Sequence, residues 1–148
     1  MNRPEYDPDK FFHWTTIKVR FRDLDPLNHV NNSVFNTYLE EARIDFIQHV
    51  PELKTSMNSG KSFILAHLEI DYVSPILSGE SILVGSSMVE MGNSSIKGIQ
   101  AIYTESSQKL NAVCKTTGVW FDLKKNRPSR LPEISTPEKY LFKPLKNG

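Results

Sequence analysis

One amphipathic segment constrains the fold of this chain more than any other feature. Apolar residues recur at steps of three or four between about residues 32 and 49, which indicates a helix with one buried stripe. Asn31, Asn32 and Ser33 are all suitable N-caps, and Pro51 ends the pattern because the residue before a proline disfavours helical geometry. The stripe consists of Phe35, Tyr38, Leu39, Ala42 and Phe46.

Almost everything outside this helix is strand-like, so a sheet is the surface that would cover the stripe. Residues 15–22 alternate between apolar and basic side chains, as a half-buried strand does. Residues 52–61 are predicted to form a loop, and the proline-rich tail after Asn126 to be irregular, with a short helix near residues 138–142. Four further strands are predicted at Ile64–Tyr72, Ser81–Met91, Ile96–Tyr103 and Leu110–Leu123.

Short turns between successive strands favour an antiparallel meander. The predicted fold class is therefore α+β, with one long helix lying against an antiparallel sheet of about five strands. A chain of 148 residues fits a single domain.

The composition excludes several classes of function. Lysine and arginine number 18 against 17 acidic residues, so the chain carries no basic field for a nucleic acid. Cys114 is the single cysteine, which excludes an intramolecular disulfide. No apolar run is long enough for a signal peptide or a membrane span. A soluble cytoplasmic protein is predicted.

The loop between the first strand and the helix holds the residues best suited to chemistry. Asp23, Asp25, Asn28 and His29 lie within a few residues of a helix N-terminus, whose free amides and dipole favour negative charge. A carboxylate, an imidazole and oriented amides together suit acyl transfer. The same residue types are common in capping loops, so both interpretations stay open. If the strand continued through the loop, both aspartates would share one face.

The segment from Val19 to Asn32, followed by Glu41, Ala42 and Arg43, resembles the signature of the 4-hydroxybenzoyl-CoA thioesterase-like hotdog family. That signature reads approximately Asp-x-Asp-x-x-Gly-His-Val-Asn-Asn, followed by a tyrosine-rich helix. The likeness extends to residues 69–75, 79–80 and 127–128, and spans about residues 14–132 in all. It implies a hotdog fold, in which strands wrap a central helix, and hydrolysis of acyl-CoA thioesters.

The resemblance also implies roles for individual residues. Asp25 matches the second aspartate of the signature, which acts as nucleophile or general base, and His29 would support it. Asn28 replaces the family glycine, and asparagine tolerates the positive φ that such a turn requires. Phe35 replaces the first helical tyrosine and removes a hydroxyl. Substrate contacts are assigned to Asn28, Asn31, Asn32, Phe35 and Tyr38.

Thioester hydrolysis needs few catalytic groups. A thiol leaving group, with a pKa of about 8.5, departs as thiolate without a strong general acid. We therefore expect no metal and no organic cofactor. His13, His49 and His67 are far apart in the sequence and lack ligand spacing, and Cys114 lies in a strand pattern typical of a structural residue.

The partners predicted for this chain are an acyl-CoA substrate and further copies of itself. Hotdog subunits pair their sheets and place the active site between chains, which favours a homodimer or homotetramer. A five-stranded sheet also leaves edges to be covered. Two alternatives stay open for function: an acyl-carrier-protein thioesterase and a non-catalytic acyl- or CoA-binding protein. A hotdog hydratase is disfavoured, because hydratases of this fold carry different His- or Asp-centred motifs that the sequence lacks.

Overall fold

The computed structural model describes residues 6–143 and has the α+β architecture that the sequence predicts. Short 3-10 turns occur at Pro8–Lys10, Phe21–Asp23 and Pro137–Tyr140. The helices and strands are β1 (His13–Lys18), α1 (Asn32–Gln48), α2 (Pro51–Met57), β2 (Lys61–Tyr72), β3 (Ser81–Met91), β4 (Ser95–Thr104), β5 (Leu110–Asp122) and β6 (Arg127–Pro128).

One antiparallel sheet has the order β1-β3-β4-β5-β2, and the short β6 also pairs with β5. Strands β3, β4 and β5 form the predicted meander, whereas β2 crosses to the far side and pairs with β5. The register shifts between Leu65 and His67 in β2, and β3 and β4 carry similar shifts. Such bulges bend strands and increase their twist.

Helix α1 buries the predicted apolar stripe against this sheet. Phe35, Tyr38, Leu39 and Ala42 are all buried in one cluster with residues of β1, β3, β4 and β5, and Phe46 joins a second cluster. Asn31 is the N-cap, because its Oδ1 accepts a hydrogen bond from the Ser33 amide at 3.0 Å. The hotdog arrangement of one central helix and a wrapped sheet is confirmed.

The prediction of a loop at residues 52–61 is wrong, since helix α2 spans Pro51–Met57. Pro51 stands at the first helical position, where its missing N–H costs nothing, and Glu52 lies in the first turn. Leu53 is the one fully buried residue of this helix. The tail contains a 3-10 turn at Pro137–Tyr140, close to the short helix expected near residues 138–142.

The first strand ends earlier than the alternation predicts. β1 stops at Lys18, and Phe21–Asp23 forms a 3-10 turn. The Arg20 amide donates to the side chain of Asp23 at 2.9 Å instead of continuing the ladder. The strand predicted over residues 15–22 is therefore wrong beyond Lys18, and the condition under which the two loop aspartates would share a face is not met. No helix within residues 6–143 is long and apolar enough to cross a membrane.

Candidate active site

The loop from Asp23 to Asn31 is a tight turn closed by backbone hydrogen bonds. The Asp25 amide donates to the His29 carbonyl at 2.8 Å, and the Asn31 amide donates to the Asp23 carbonyl at 2.9 Å. Asn28 has a φ of 61°, so it takes the left-handed conformation that its replacement of a glycine requires. The turn that the resemblance implies is therefore present.

Asp25 presents a half-fixed carboxylate at the surface of this turn. Its Oδ1 accepts hydrogen bonds from the amides of Leu27 at 2.8 Å and His29 at 3.2 Å. Within residues 6–143, Oδ2 accepts no hydrogen bond. The side chain is partly exposed, so two backbone amides hold one oxygen while the other has no hydrogen-bond partner among the described residues.

Asp23 lies in a contrasting environment, with only 2% of its surface exposed. Its Oδ2 accepts hydrogen bonds from the Tyr38 hydroxyl at 2.7 Å and the Arg20 amide at 2.9 Å, and its Oδ1 lies 3.2 Å from Arg20 Nη2. Burial acts to raise the pKa of Asp23, but the hydrogen bonds from Tyr38 and Arg20 outweigh it and hold the pKa below its usual value. Burial, followed by the Asp23 carboxylate, raises the pKa of Tyr38. Asp23 thus joins the loop to α1.

The predicted site residues fall into two groups in the structure. Asp25, Asn28 and His29 share the turn, and the exposed Asn31 and Asn32 begin α1 beside it. Tyr38 and Phe35 form the second group and lie in the core of the chain. The Tyr38 hydroxyl donates to Asp23, and the Phe35 ring packs edge-on against the ring of Tyr72.

Large apolar side chains surround the turn and were not noticed in the sequence. Phe21, four residues before Asp25 in the sequence, is 91% exposed, and Leu27, two residues after it, is 75% exposed. Leu77, which bridges to His29, and Tyr72, whose hydroxyl donates to the Asn32 carbonyl, are also exposed. The available signal was the presence of Phe and Leu in an otherwise polar loop. Such a grouping marks a binding or contact surface.

A cavity of about 300 Å³ lies between the second half of α1 and the sheet. Its wall is mainly apolar, but Arg43 enters it and donates to Gln100 Oε1 at 3.2 Å. Gln100 in turn donates to the Leu39 carbonyl and to Ser86 Oγ, both at 3.1 Å. Burial lowers the pKa of Arg43. Apolar members of the wall include Ile44, Phe46, Ile47, Met57, Phe63, Leu65 and Met88.

The family of this chain follows from its similarity to known proteins. Residues 19–136 match the family model of the thioesterase-like superfamily, which covers the turn, both helices and the strands β2 to β6. The chain belongs to this superfamily. The family predicted from the loop signature is confirmed.

Individual members of the thioesterase-like superfamily are similar over most of this chain. The long-chain acyl-CoA thioesterase FadM of Escherichia coli is 29% identical over 110 residues, which cover 74% of this chain and 83% of FadM. The structure of a thioesterase from Thermus thermophilus, complexed with coenzyme A and Zn, is 37% identical with a TM-score of 0.71 and covers 84% of this chain and 94% of that one. A chloroplastic acyl-acyl carrier protein thioesterase of Arabidopsis thaliana is 30% identical over 122 residues, or 82% of this chain. The match spans only 64% of the plant protein's length.

Outside the turn, this member of the thioesterase-like superfamily brings together two histidines that are far apart in sequence. His13 Nε2 lies 2.8 Å from Asp45 Oδ2, and the rings of His13 and His49 are 4.3 Å apart. His67 is not part of this group and pairs with Glu69 at the surface. The expectation that no two histidines have ligand geometry is therefore wrong. Spacing in sequence did not reveal that β1 packs on the last turn of α1.

Cys114 is buried within the main cluster of the superfamily fold, and burial raises its pKa to about 11. A thiol of that kind stays protonated and unreactive near neutral pH. Its environment agrees with the structural role expected from the strand pattern.

Proposed function

We propose that this protein hydrolyses acyl-CoA thioesters, with Asp25 as the catalytic carboxylate. The observation that carries the proposal is the partly exposed Asp25 side chain, in which two amides orient Oδ1 and Oδ2 has no hydrogen-bond partner within residues 6–143. It occupies the position of the second aspartate in the family signature. The names of FadM and of the Thermus structure, an acyl-CoA thioesterase and a coenzyme A complex, support the substrate class.

The turn supplies the groups that the reaction needs. Asp25 Oδ2 attacks the thioester carbonyl carbon, the C–S bond breaks, CoA leaves as thiolate, and water then cleaves the mixed anhydride. In the second route, Asp25 takes a proton from water, and the water oxygen attacks the same carbon. In either route the oxyanion develops near the N-terminus of α1 and near His29, where the helix dipole and polar donors stabilise it.

Heavy-oxygen water tests for the nucleophilic route. With enzyme in excess and a single turnover, the labelled oxygen enters the Asp25 side chain if Asp25 attacks the thioester and water then cleaves the mixed anhydride at Cγ of Asp25. Attack by an activated water leaves Asp25 unlabelled and places the label in the released acid. Label in the Asp25 side chain, detected by mass spectrometry of the protein, therefore establishes Asp25 as the nucleophile.

The apolar cavity is the proposed site of the acyl chain. It opens beside Arg43, which is about 16 Å along α1 from Asn32 at the usual helical rise. Within one chain, the Asp25 turn and this cavity thus lie towards opposite ends of the helix. We propose that a second copy of the chain brings a turn and a cavity together in one site.

The outer edge of β2 is the proposed contact between copies. Strand β2 is twelve residues long, ends the sheet order, and exposes Ile64, Leu65 and Tyr72. An unpaired, apolar edge of this length favours pairing with another strand. Two-fold pairing of β2 with β2 sets the two α1 helices antiparallel, so that the turn of one copy faces the cavity of the other. A homodimer or homotetramer follows, and light scattering that finds only the 16.9 kDa monomer would contradict it.

The decisive experiment measures thiol release from a panel of acyl-CoAs and acyl-carrier-protein thioesters. We expect the wild type to turn over acyl-CoAs and Asp25→Asn to be inactive but folded. Asp122→Asn is the matched control, because Oδ1 of Asp122 also accepts two backbone amides in a turn, from Lys124 and Lys125. Loss of activity in both variants, or in neither, contradicts the assignment.

The panel also tests the alternatives. The plant relatives carry the name acyl-acyl carrier protein thioesterase, so preference for carrier-protein thioesters would favour that function. Binding of acyl-CoA without turnover would favour a non-catalytic module. Turnover that survives exhaustive chelation would agree with the predicted absence of a metal or cofactor requirement. The cytoplasmic location stays a prediction.

A further inference from the structure

The first residue of β1 and the last turn of α1 bring three metal-ligating side chains together. Asp45 and His49 are four residues apart on α1, so they project from the same face of the helix. His13 reaches them from β1, and one ligand atom from each of the three residues lies within 4.8 Å of the others. We propose that His13, Asp45 and His49 form a binding site for one divalent transition metal ion, with Zn²⁺ as the preferred ion.

The chemistry and spacing of the ligands support this ion. Two imidazoles and one carboxylate are a donor set that zinc accepts, and ligand atoms about 2.0–2.2 Å from a tetrahedral ion are about 3.3–3.6 Å from one another. His13 Nε2 is 2.8 Å from Asp45 Oδ2, and His49 Nδ1 is 3.8 Å from Asp45 Oδ1. One distance is shorter and the other longer than the required range, and they involve different oxygens of Asp45, so binding requires side-chain rotations that bring one oxygen and both nitrogens to the ion. On binding through Nδ1, His49 gives up its hydrogen bond to the Asp45 carbonyl.

The surroundings also suit a metal site. The Thr15 hydroxyl donates to Asp45 Oδ2 at 2.7 Å and would hold the carboxylate in its orientation without contacting the ion. The ring of Phe46 packs beside His13 and limits its movement. His13 is largely buried, whereas 57% of the His49 side chain is exposed. The site is thus anchored on one side and leaves the fourth position of the ion to water.

The location argues for a structural role rather than a catalytic one. Asp45 lies thirteen residues along α1 from Asn32, or about 20 Å from the N-terminus next to the Asp25 turn. An ion here would crosslink β1 to the end of α1 and stabilise the folded chain by mass action. Its presence is therefore compatible with hydrolysis that needs no metal.

Metal binding is tested directly, without any measurement of activity. Chelator-stripped protein is titrated with Co²⁺, followed by its visible absorption, and with Zn²⁺, followed by calorimetry and thermal unfolding. We expect one ion per chain, tetrahedral cobalt bands, and an unfolding temperature that rises with zinc concentration. His49→Ala should weaken binding at least about tenfold and abolish the thermal shift. Because His49 is exposed, this variant is expected to fold.

Two controls make the outcome decisive. His67→Ala removes an exposed histidine that also lies beside a carboxylate, Glu69 at 3.1 Å, and should leave the affinity unchanged. His13→Ala should lose binding as His49→Ala does. The proposal is overturned if zinc does not raise the unfolding temperature of the wild type, or if all three variants bind the ion equally. It is also overturned if the unfolding temperature depends on these residues only through pH, in metal-free protein, and not through zinc.

Discussion

Asp23 and Asp25 are two residues apart in one loop, yet their surroundings differ in almost every respect. Asp23 is buried, accepts hydrogen bonds from Tyr38 and Arg20, and joins the loop to α1. Asp25 is partly exposed and leaves one oxygen without a partner within residues 6–143. The 3-10 turn at Phe21–Asp23 and the left-handed Asn28 produce this difference by directing the two side chains apart. The first carboxylate therefore stabilises the loop on which the second is proposed to react.

The largest effect expected from this comparison is on turnover. Asp25→Asn should lower kcat by about 10²–10⁴-fold, because asparagine keeps the size and the Oδ1 acceptor but has neither charge nor basicity. Its free energy of unfolding should stay within about 0.5 kcal/mol of the wild type. Steady-state kinetics and urea unfolding measure the two quantities. Near-normal turnover, together with a folded but inactive Asp23→Asn, would move the catalytic role to Asp23.

The next effect is on stability. Asp23→Asn should lower the free energy of unfolding by about 2–3 kcal/mol, since it weakens charge-assisted hydrogen bonds that are out of contact with water. Urea unfolding at neutral pH measures this loss. An Asp23→Asn variant as stable as the wild type would show that Asp23 does not hold the loop.

Tyr38→Phe should lower the free energy of unfolding by about 1 kcal/mol, because it removes one hydrogen bond and keeps the packed ring.

A smaller effect distinguishes the aspartates by pH. The pKa of Asp23 is lower in the folded protein than its ordinary value of 3.8, so the unfolded chain binds this proton more tightly. The stabilisation is therefore complete above the ordinary pKa and is lost as pH falls through the folded pKa. Unfolding measured between neutral and strongly acidic pH should show the gap between wild type and Asp23→Asn closing in that range. A gap that stays constant would contradict the assignment.

The smallest effect concerns His29. Its amide orients Asp25 Oδ1, and this contact does not depend on the imidazole. His29→Ala should therefore retain measurable turnover, with a fall in kcat smaller than the roughly 10²–10⁴-fold that loss of a general acid or base causes. Steady-state kinetics of His29→Ala, measured in parallel with Asp25→Asn, test this prediction. A loss as complete as that of Asp25→Asn would make the imidazole essential.

The sequence predicted the long elements well because their signals are repeated over many residues. The stripe from Phe35 to Phe46 and the cap at Asn31 located α1 to within one residue at its end, and β3 was predicted with its observed bounds. The loop signature predicted the family. The position of Asn28 in the left-handed region followed from its place in that signature.

The features that the sequence did not predict depend on interactions that leave no repeating pattern in it. Helix α2 contains a single fully buried side chain, Leu53. A seven-residue helix with one buried apolar residue shows no repeating apolar pattern in its sequence. The first strand was predicted too long because a side chain, that of Asp23, captures the amide of Arg20. His13 and His49 meet only because two distant elements pack together. The exposed apolar residues around Asp25 gain meaning only when the turn is seen in three dimensions.

The buried state of Cys114 has a practical consequence for every kinetic experiment on this protein. It is the chain's single cysteine, it is almost inaccessible, and its pKa is raised to about 11. Disulfide reagents that report released CoA react with thiolates, so the folded protein should contribute almost no background even at the high concentrations of single-turnover work. Slow colour development in the absence of substrate would then report unfolding of the chain itself. The same reagent thus measures hydrolysis and the integrity of the core.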